Sequence, residues 1–298
     1  MKSIISDKLV HFVIFFLGNK KTEKGILFLC RNCFLRKLFK PGRLAFSLVD
    51  CLEKREERVA EMGRYRFWVN IAESHGLFSY FFKKPQVPSF CLETIKKGDC
   101  FFDVGANMGH WTFAVAAQEV KVFSFEPNPT NFRMLKNSIE LNGWNHRVTL
   151  VEKALWNKSG EKLEFFLSED RHNSGTSSLI RHSLIESTNS VITVETVTGD
   201  DYIRLNQIDK IDLMKVDVER AEYEVLFGFQ DSFKKGIIRW IHLETAYQSK
   251  AYLFLEENGY ICSGEIEGGE RLKSKEEKWG GDSHEVGDYW FYYGGELK

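Results

Sequence analysis

Long apolar runs are missing from this chain. The N-terminal run over residues 9–17 is interrupted by His11, and it falls well short of the roughly 20 residues a helix needs to cross a bilayer. Gly18, Asn19, Lys20 and Lys21 follow it where a secretory leader would carry a small-residue cleavage site, so no such leader is expected. A disulfide framework is missing too. The six cysteines, Cys30, Cys33, Cys51, Cys91, Cys100 and Cys262, are scattered through mostly apolar surroundings, which predicts reduced core residues of a cytoplasmic protein. Cys30 and Cys33 have the spacing of half a zinc site, but no second CxxC or HxxxH pair completes it, and no metal site is assigned. Pro-, Gly- or Ser-rich linkers are absent after residue 85, and no internal repeat appears. The simplest organisation is an N-terminal extension over 1–85 followed by one main domain over 86–298.

What is present is an ordinary globular balance, 43% apolar and 28% charged, in a chain of 298 residues that can bury a large core. The net charge of −1 hides an asymmetry. Residues 1–49 hold ten lysines and arginines against Asp7 and Glu23, a local charge of +8, which leaves −9 for the remainder. With the apolar runs at 9–17 and 26–30, that stretch reads as helical, and as a candidate for peripheral contact with an anionic membrane surface, at the inner face of the membrane for a cytoplasmic protein. Docking of the same helices on the main domain is the competing expectation. Nucleic acid is not an expected partner, because the basic excess does not extend into the main domain.

From residue 99 onward strand-like and helix-like segments alternate, which predicts an α/β domain with a mostly parallel sheet covered by helices on both faces. Strands are expected at 100–104, 121–126, 148–151, 211–218, 238–244, 260–263 and 289–293, and helices at 110–118, 130–141, 221–228 and 249–257. An insertion with strands at 162–167 and 191–197 carries the polar loop SEDRHNSGTSSLIRHS, placed by this order near the mouth of a cleft. The strongest motif is FFDVGANMG at 101–109, a buried strand followed by a glycine turn and a helix. Backbone amides at such a turn can approach a ligand closely because glycine has no Cβ. The next strand ends in FEPNP, which puts Glu126 at a carboxyl end, where a carboxylate can take both hydroxyls of a ribose. Together these predict a nucleoside-containing cofactor.

With those residues laid out, the chain resembles the FkbM family of S-adenosylmethionine-dependent methyltransferases. The resemblance runs through FFDVGANMG, FEPNPTNFRMLKNSIELNG, EKALWNKSG, TSSL, IDLMKVDVERAEYEVLFG and HLETA, in order, over about half the chain. It implies a class I methyltransferase fold: a Rossmann-like, seven-stranded, mostly parallel sheet whose last strand is antiparallel. It further implies that Asp103, Gly105, Asn107 and Gly109 form the loop around the methionine end of S-adenosyl-L-methionine, that Glu126 binds the ribose, and that 152–155, with Ala154, lies against the adenine. The alternative for Asp103 is a carboxylate that satisfies local loop groups. Two departures stand out. The family's usual DVEG is DVER here, with Arg220 at a position normally free of a side chain, and Gly199 replaces a more usual leucine; both are expected near the substrate side.

Methyl transfer to an alcohol requires collinear placement of nucleophile, methyl and sulfur, and a base that contributes on the order of 10² to 10⁴-fold. Asp217 leads the candidates for base or orienter, Glu219 and Glu244 follow, and His242 is weaker. Strand alternation is expected to turn Asp217 and Glu219 toward one cleft. In a purely structural version of the cluster, Lys215 or Arg220 would pair with Glu219 or Glu244. Three carboxylates also suit a hard divalent cation, but no fixed-spacing ligand motif accompanies them. Ser177 and Ser178 are candidate donors to a hydroxylated acceptor, and His110 reads as a helix-start residue. The expected partner is a small-molecule or glycan acceptor, in keeping with O-methylation of a sugar or secondary metabolite. A nicotinamide dehydrogenase is disfavoured because Asn107 and His110 stand where a dinucleotide turn needs glycines. A non-catalytic binding module on the same scaffold is the competing class.

Overall fold

Phe101 and Phe102 are adjacent, fully buried, and belong to the cores on opposite faces of one sheet. That follows from the two-residue period of a strand and fixes where everything else packs. The computed structural model describes residues 57–83, 87–170, 173–183, 185–186, 188–267, 271–273 and 286–295. In chain order the elements are β1 (Glu57–Met62), β2 (Tyr65–Asn70), α1 (Ser74–Leu77, running on into a π-turn over Phe78–Phe82), α2 (Ser89–Thr94), β3 (Cys100–Val104), α3 (His110–Ala116), β4 (Lys121–Phe125) and α4 (Pro129–Asn142). There follow β5 (Val148–Val151), β6 (Ala154–Leu155), β7 (Lys162–Phe166), β8 (Val191–Val197), α5 (Gly199–Leu205), β9 (Ile211–Val216), α6 (Glu222–Phe227) and α7 (Gln230–Lys235). The last are β10 (Ile238–Ala246), α8 (Lys250–Glu257), β11 (Tyr260–Glu267), β12 (Arg271–Lys273) and β13 (Val286–Tyr293).

The main sheet has the order β12-β11-β13-β10-β9-β3-β4-β5. Strands β5, β4, β3, β9 and β10 are mutually parallel, and β13 enters antiparallel between β10 and β11. This is the expected seven-stranded class I arrangement with its antiparallel last strand, extended at one edge by β12. One face packs Phe101, Val122 and Leu213 against Trp111, Phe113, Met134 and Leu135 of α3 and α4. The other packs Phe102, Phe123 and Met214 against Phe229, Phe233 and Tyr252 from the segment carrying α5 to α8. The insertion forms its own small sheet, with β8 between a parallel β6 and an antiparallel β7.

The expected helical extension over 1–85 does not hold for its described part, which begins with a β-hairpin. β1 and β2 pair antiparallel from Glu57↔Asn70 to Met62↔Tyr65, and Gly63 at φ +69 opens the two-residue turn. Ala60, Phe67 and Val69 alternate inward and join the α3/α4 core. Residues 1–56, with the basic stretch and its expected membrane contact, lie outside the described residues, as does the 85/86 boundary. No helix among the described residues is long and apolar enough to cross a membrane.

Candidate functional site

Strands β3 and β9 are neighbours, yet the next parallel strands, β4 and β10, lie to opposite sides of them. Such a reversal opens a crevice at the carboxyl ends of the strands. Gly105 sits at its narrowest point. It has φ +77, and a Cβ there would lie 1.9 Å from the backbone oxygen of Asp217. Gly109, at φ +92, caps α3 where a Cβ would meet Leu135 and Phe113 at 2.5 Å. Between them Asn107 takes φ +50 and donates its backbone N–H to Glu126 Oε2 at 2.6 Å, while the N–H of Asn128 donates to Oε1 at 2.9 Å. Burial raises Glu126 to about 7 despite those two amides. A cleft of about 460 Å³ opens here, lined by Gly105, Asn107 and Glu126, with Lys153, Ala154 and Leu155 on a further wall. Glu152 is not among its lining residues, and Lys153 is paired with Glu195 at 3.0 Å.

Asp103 does not line the cleft. It shares the strand face of Phe101, is fully buried, and accepts from the Thr112 hydroxyl at 2.6 Å. Its Oδ1 has no hydrogen-bond partner among the described residues, and Lys215 Nζ stands 3.9 Å away. Burial drives its carboxyl above the usual range, with Lys215 and Thr112 acting against that. The residue stands beneath the glycine loop as part of its foundation.

The three candidate carboxylates do converge, but by a different route from strand alternation. β9 ends at Val216, and Glu219 reaches the cleft on a turn in which Glu219 and Arg220 have φ +55 and +80. Ligand atoms of Asp217, Glu219 and Glu244 lie within 4.8 Å of one another, close enough to hold a hard cation. Much of that field is already met by Lys215, whose Nζ is 3.1 Å from Asp217 Oδ2 and donates to the Gly105 carbonyl at 2.6 Å. Lys215 thus pairs with Asp217 rather than with Glu219 or Glu244. Burial would raise Asp217, but Lys215 and a hydrogen bond from Glu244 hold it below the ordinary range. The neighbouring Asp217 charge and burial push Glu244 far up, so Glu244 carries the proton of the pair. Glu219 is raised to about 7 by burial, then by Asp217 and Glu222.

His242 forms a wall. Its Nε2 is 2.9 Å from Asp288 Oδ1 and its ring lies 4.8 Å from that of Trp111. His110, at the start of α3 as expected, is hydrogen-bonded to Ser79 and depressed to about 3 by burial, so it is neutral. Ser177 lines the cleft; Ser178 instead donates to the Glu219 carbonyl at 2.6 Å and supports the left-handed turn. Gly199, expected near the substrate, lies in the core, where a Cβ would strike the Phe229 ring at 2.2 Å. Sequence reasoning passed over His75, which lines the cleft from α1 and is kept neutral chiefly by burial. It also passed over Glu73, which accepts from the Ser174 hydroxyl at 2.6 Å and so ties the N-terminal segment to the insertion loop across the cleft mouth. No local motif marks either residue; the one signal that could have marked a packed segment there is the apolar alternation over 57–70.

The family model described as the methyltransferase FkbM domain matches residues 103–262. The hexuronic acid methyltransferase AglP of Haloferax volcanii is 31% identical over 183 residues, spanning 60% of this chain and 71% of that protein. Among solved structures, methyltransferase FkbM from Methylobacillus flagellatus KT aligns with TM-score 0.41 and 14% identity over 67% of this chain and 44% of its own. The chain therefore spans less than half the length of that structure. The M. jannaschii protein TYW2, solved with AdoMet, aligns with TM-score 0.40 and 15% identity over 81% of this chain and 89% of its own.

Proposed function

The chain belongs to the methyltransferase FkbM family, and from that premise we propose that it is an S-adenosylmethionine-dependent O-methyltransferase acting on a hydroxyl of a sugar or glycan precursor. The observation that carries the reading is that Glu126 and the Gly105–Gly109 turn face the same cleft as the carboxylate trio. The residues present fit the cofactor. Each Glu126 oxygen accepts one backbone amide and keeps a lone pair for a ribose hydroxyl, and Gly105 leaves the loop room that a Cβ would fill. Ala154 and Leu155 offer an apolar wall to a flat base. The sugar acceptor is supported by a relative named for hexuronic acid.

Bound there, S-adenosylmethionine would supply an electrophilic methyl group. Asp217, ionised and fixed between Lys215 and Glu244, is suited to orient the attacking hydroxyl. It is a poor base because its own affinity for a proton is low. Glu219, titrating near neutrality, matches the operating pH better and is assigned the proton-accepting role in place of Asp217. Glu244 holds its proton toward Asp217 and keeps that carboxylate from rotating away.

Calorimetric titration with S-adenosylmethionine and S-adenosylhomocysteine tests the cofactor. Micromolar binding abolished by Glu126→Ala is expected; no binding to folded protein discards the reading. With an accepted sugar, Glu219→Gln should retain cofactor binding and lose turnover by at least ~10²-fold. Binding without turnover on any sugar would favour the non-catalytic module.

A further inference from the structure

Glu219 and Glu244 also border a second, open cavity of about 160 Å³, whose lining includes Arg220, Glu222, Tyr223, Ser249 and Lys250. Two of the three acids there are engaged, and the third, Glu219, also lines the catalytic cleft. Glu222 accepts the backbone N–H of Arg220 at 2.9 Å, and Glu244 is hydrogen-bonded to Asp217. The cations are held more loosely, Arg220 feeling the charge of Glu219 without pairing with it. Arg220 and Lys250 are exposed, and among the described residues neither has an ion-pair partner; the Lys250 ammonium rests 3.5 Å from the centre of the Tyr223 ring. Helix α8, capped by Ser249, opens its positive end onto the same cavity. Arg220 also stands at φ +80, a conformation that strains a side-chain-bearing residue and that glycine adopts freely.

We propose that this annex is a subsite for an oxyanion carried by the acceptor, the phosphate of a glycosyl phosphate or the carboxylate of a uronic acid, held by Arg220 and Lys250. The inference rests on the methyltransferase reading, which makes the adjoining cleft the place of reaction. Arg220 offers a planar fork of donors and Lys250 a mobile point charge, a pairing suited to an oxyanion. The sugar hydroxyl would then lie on the Asp217 side of Glu219 and the anion on the Arg220 side, so Arg220 sets which sugars are accepted.

The experiment uses the full chain saturated with S-adenosylhomocysteine and titrates it with glucose 1-phosphate, glucuronate, glucose and glucosamine. One or both anionic sugars should bind about tenfold or more tightly than glucose, as expected for a charge-assisted contact, and the tighter of the two identifies the source of the anion. Arg220→Gly relieves the left-handed strain, so it should fold, melt higher and keep S-adenosylhomocysteine binding while the anion preference disappears. Lys250→Gln should reduce that preference. The proposal is overturned if glucosamine binds best, if anionic sugars show no advantage over glucose, including no binding of any of the four, or if the advantage survives in both variants. Failure of the wild-type chain to bind S-adenosylhomocysteine sinks the underlying functional reading instead.

Discussion

Glu126 reverses the usual behaviour of a carboxylate in a folded protein. Its pKa rises from 4.5 to about 7 on folding, so the stability it contributes is fully present below about 4.5 and is lost as pH climbs through about 7. On the proposed reading a ribose hydroxyl would donate to the ionised form, so binding and folding would pull its proton in opposite directions. Affinity for S-adenosylhomocysteine should therefore rise by about tenfold between about pH 6 and about pH 8, following the ionised fraction of a group that titrates near 7. Glu126→Gln should bind weakly with a flat profile. Calorimetry across that range decides it, and an equally steep profile in the variant would assign the titration to another group.

At the level of elements, the N-terminal hairpin behaves as a structural part of the catalytic body. Phe67 is 1% exposed and lies 5.7 Å from the ring of Phe113. The Trp68 N–H donates to the Ser138 hydroxyl at 2.8 Å, pinning β2 on α4. Phe67→Ala should cost about 3–5 kcal/mol by leaving a cavity between hairpin and helix. Urea denaturation measures it, and a loss below about 1 kcal/mol would mean that the hairpin packs only loosely. The sequence carried a signal for this element, alternating apolar residues around Gly63, but the basic, helix-like stretch before it drew the whole extension into one reading. Helices α5 and α7 went unseen for another reason: GDDYIRL and QDSFKK are short and largely polar, and tertiary contacts hold them in place. The central strands were legible because burial on both faces makes them continuous apolar runs.

For the molecule as a whole, Lys215 is the stitch between the two halves of the sheet. It lies 4% exposed, donates to the loop after β3, and balances Asp217 beyond β9 and Asp103 below. Lys215→Met should lower stability by about 3–5 kcal/mol because it strands buried acids without their cation. Denaturant unfolding reads this, and a change under about 1 kcal/mol would show that the acids simply take up protons. The contiguous motifs of the site, Gly105 to Gly109, Glu126 and the trio at 217, 219 and 244, were visible in the chain. Its assembly across distance was not: the burial of Asp103 and the pairing of Lys215 depend on which strands become neighbours, and the arrival of His75 on where the hairpin docks.

The near-contact of Gly105 with the Asp217 carbonyl has a consequence for how such chains diversify. Only a hydrogen's width separates the loop after β3 from the turn after β9, though more than a hundred residues lie between them in sequence. A chimera that draws those two segments from different parents risks backbone collision at the seam even when every side chain is compatible. They should be exchanged as one cassette, so recombination that alters the turn after β9 must bring its own glycine loop with it.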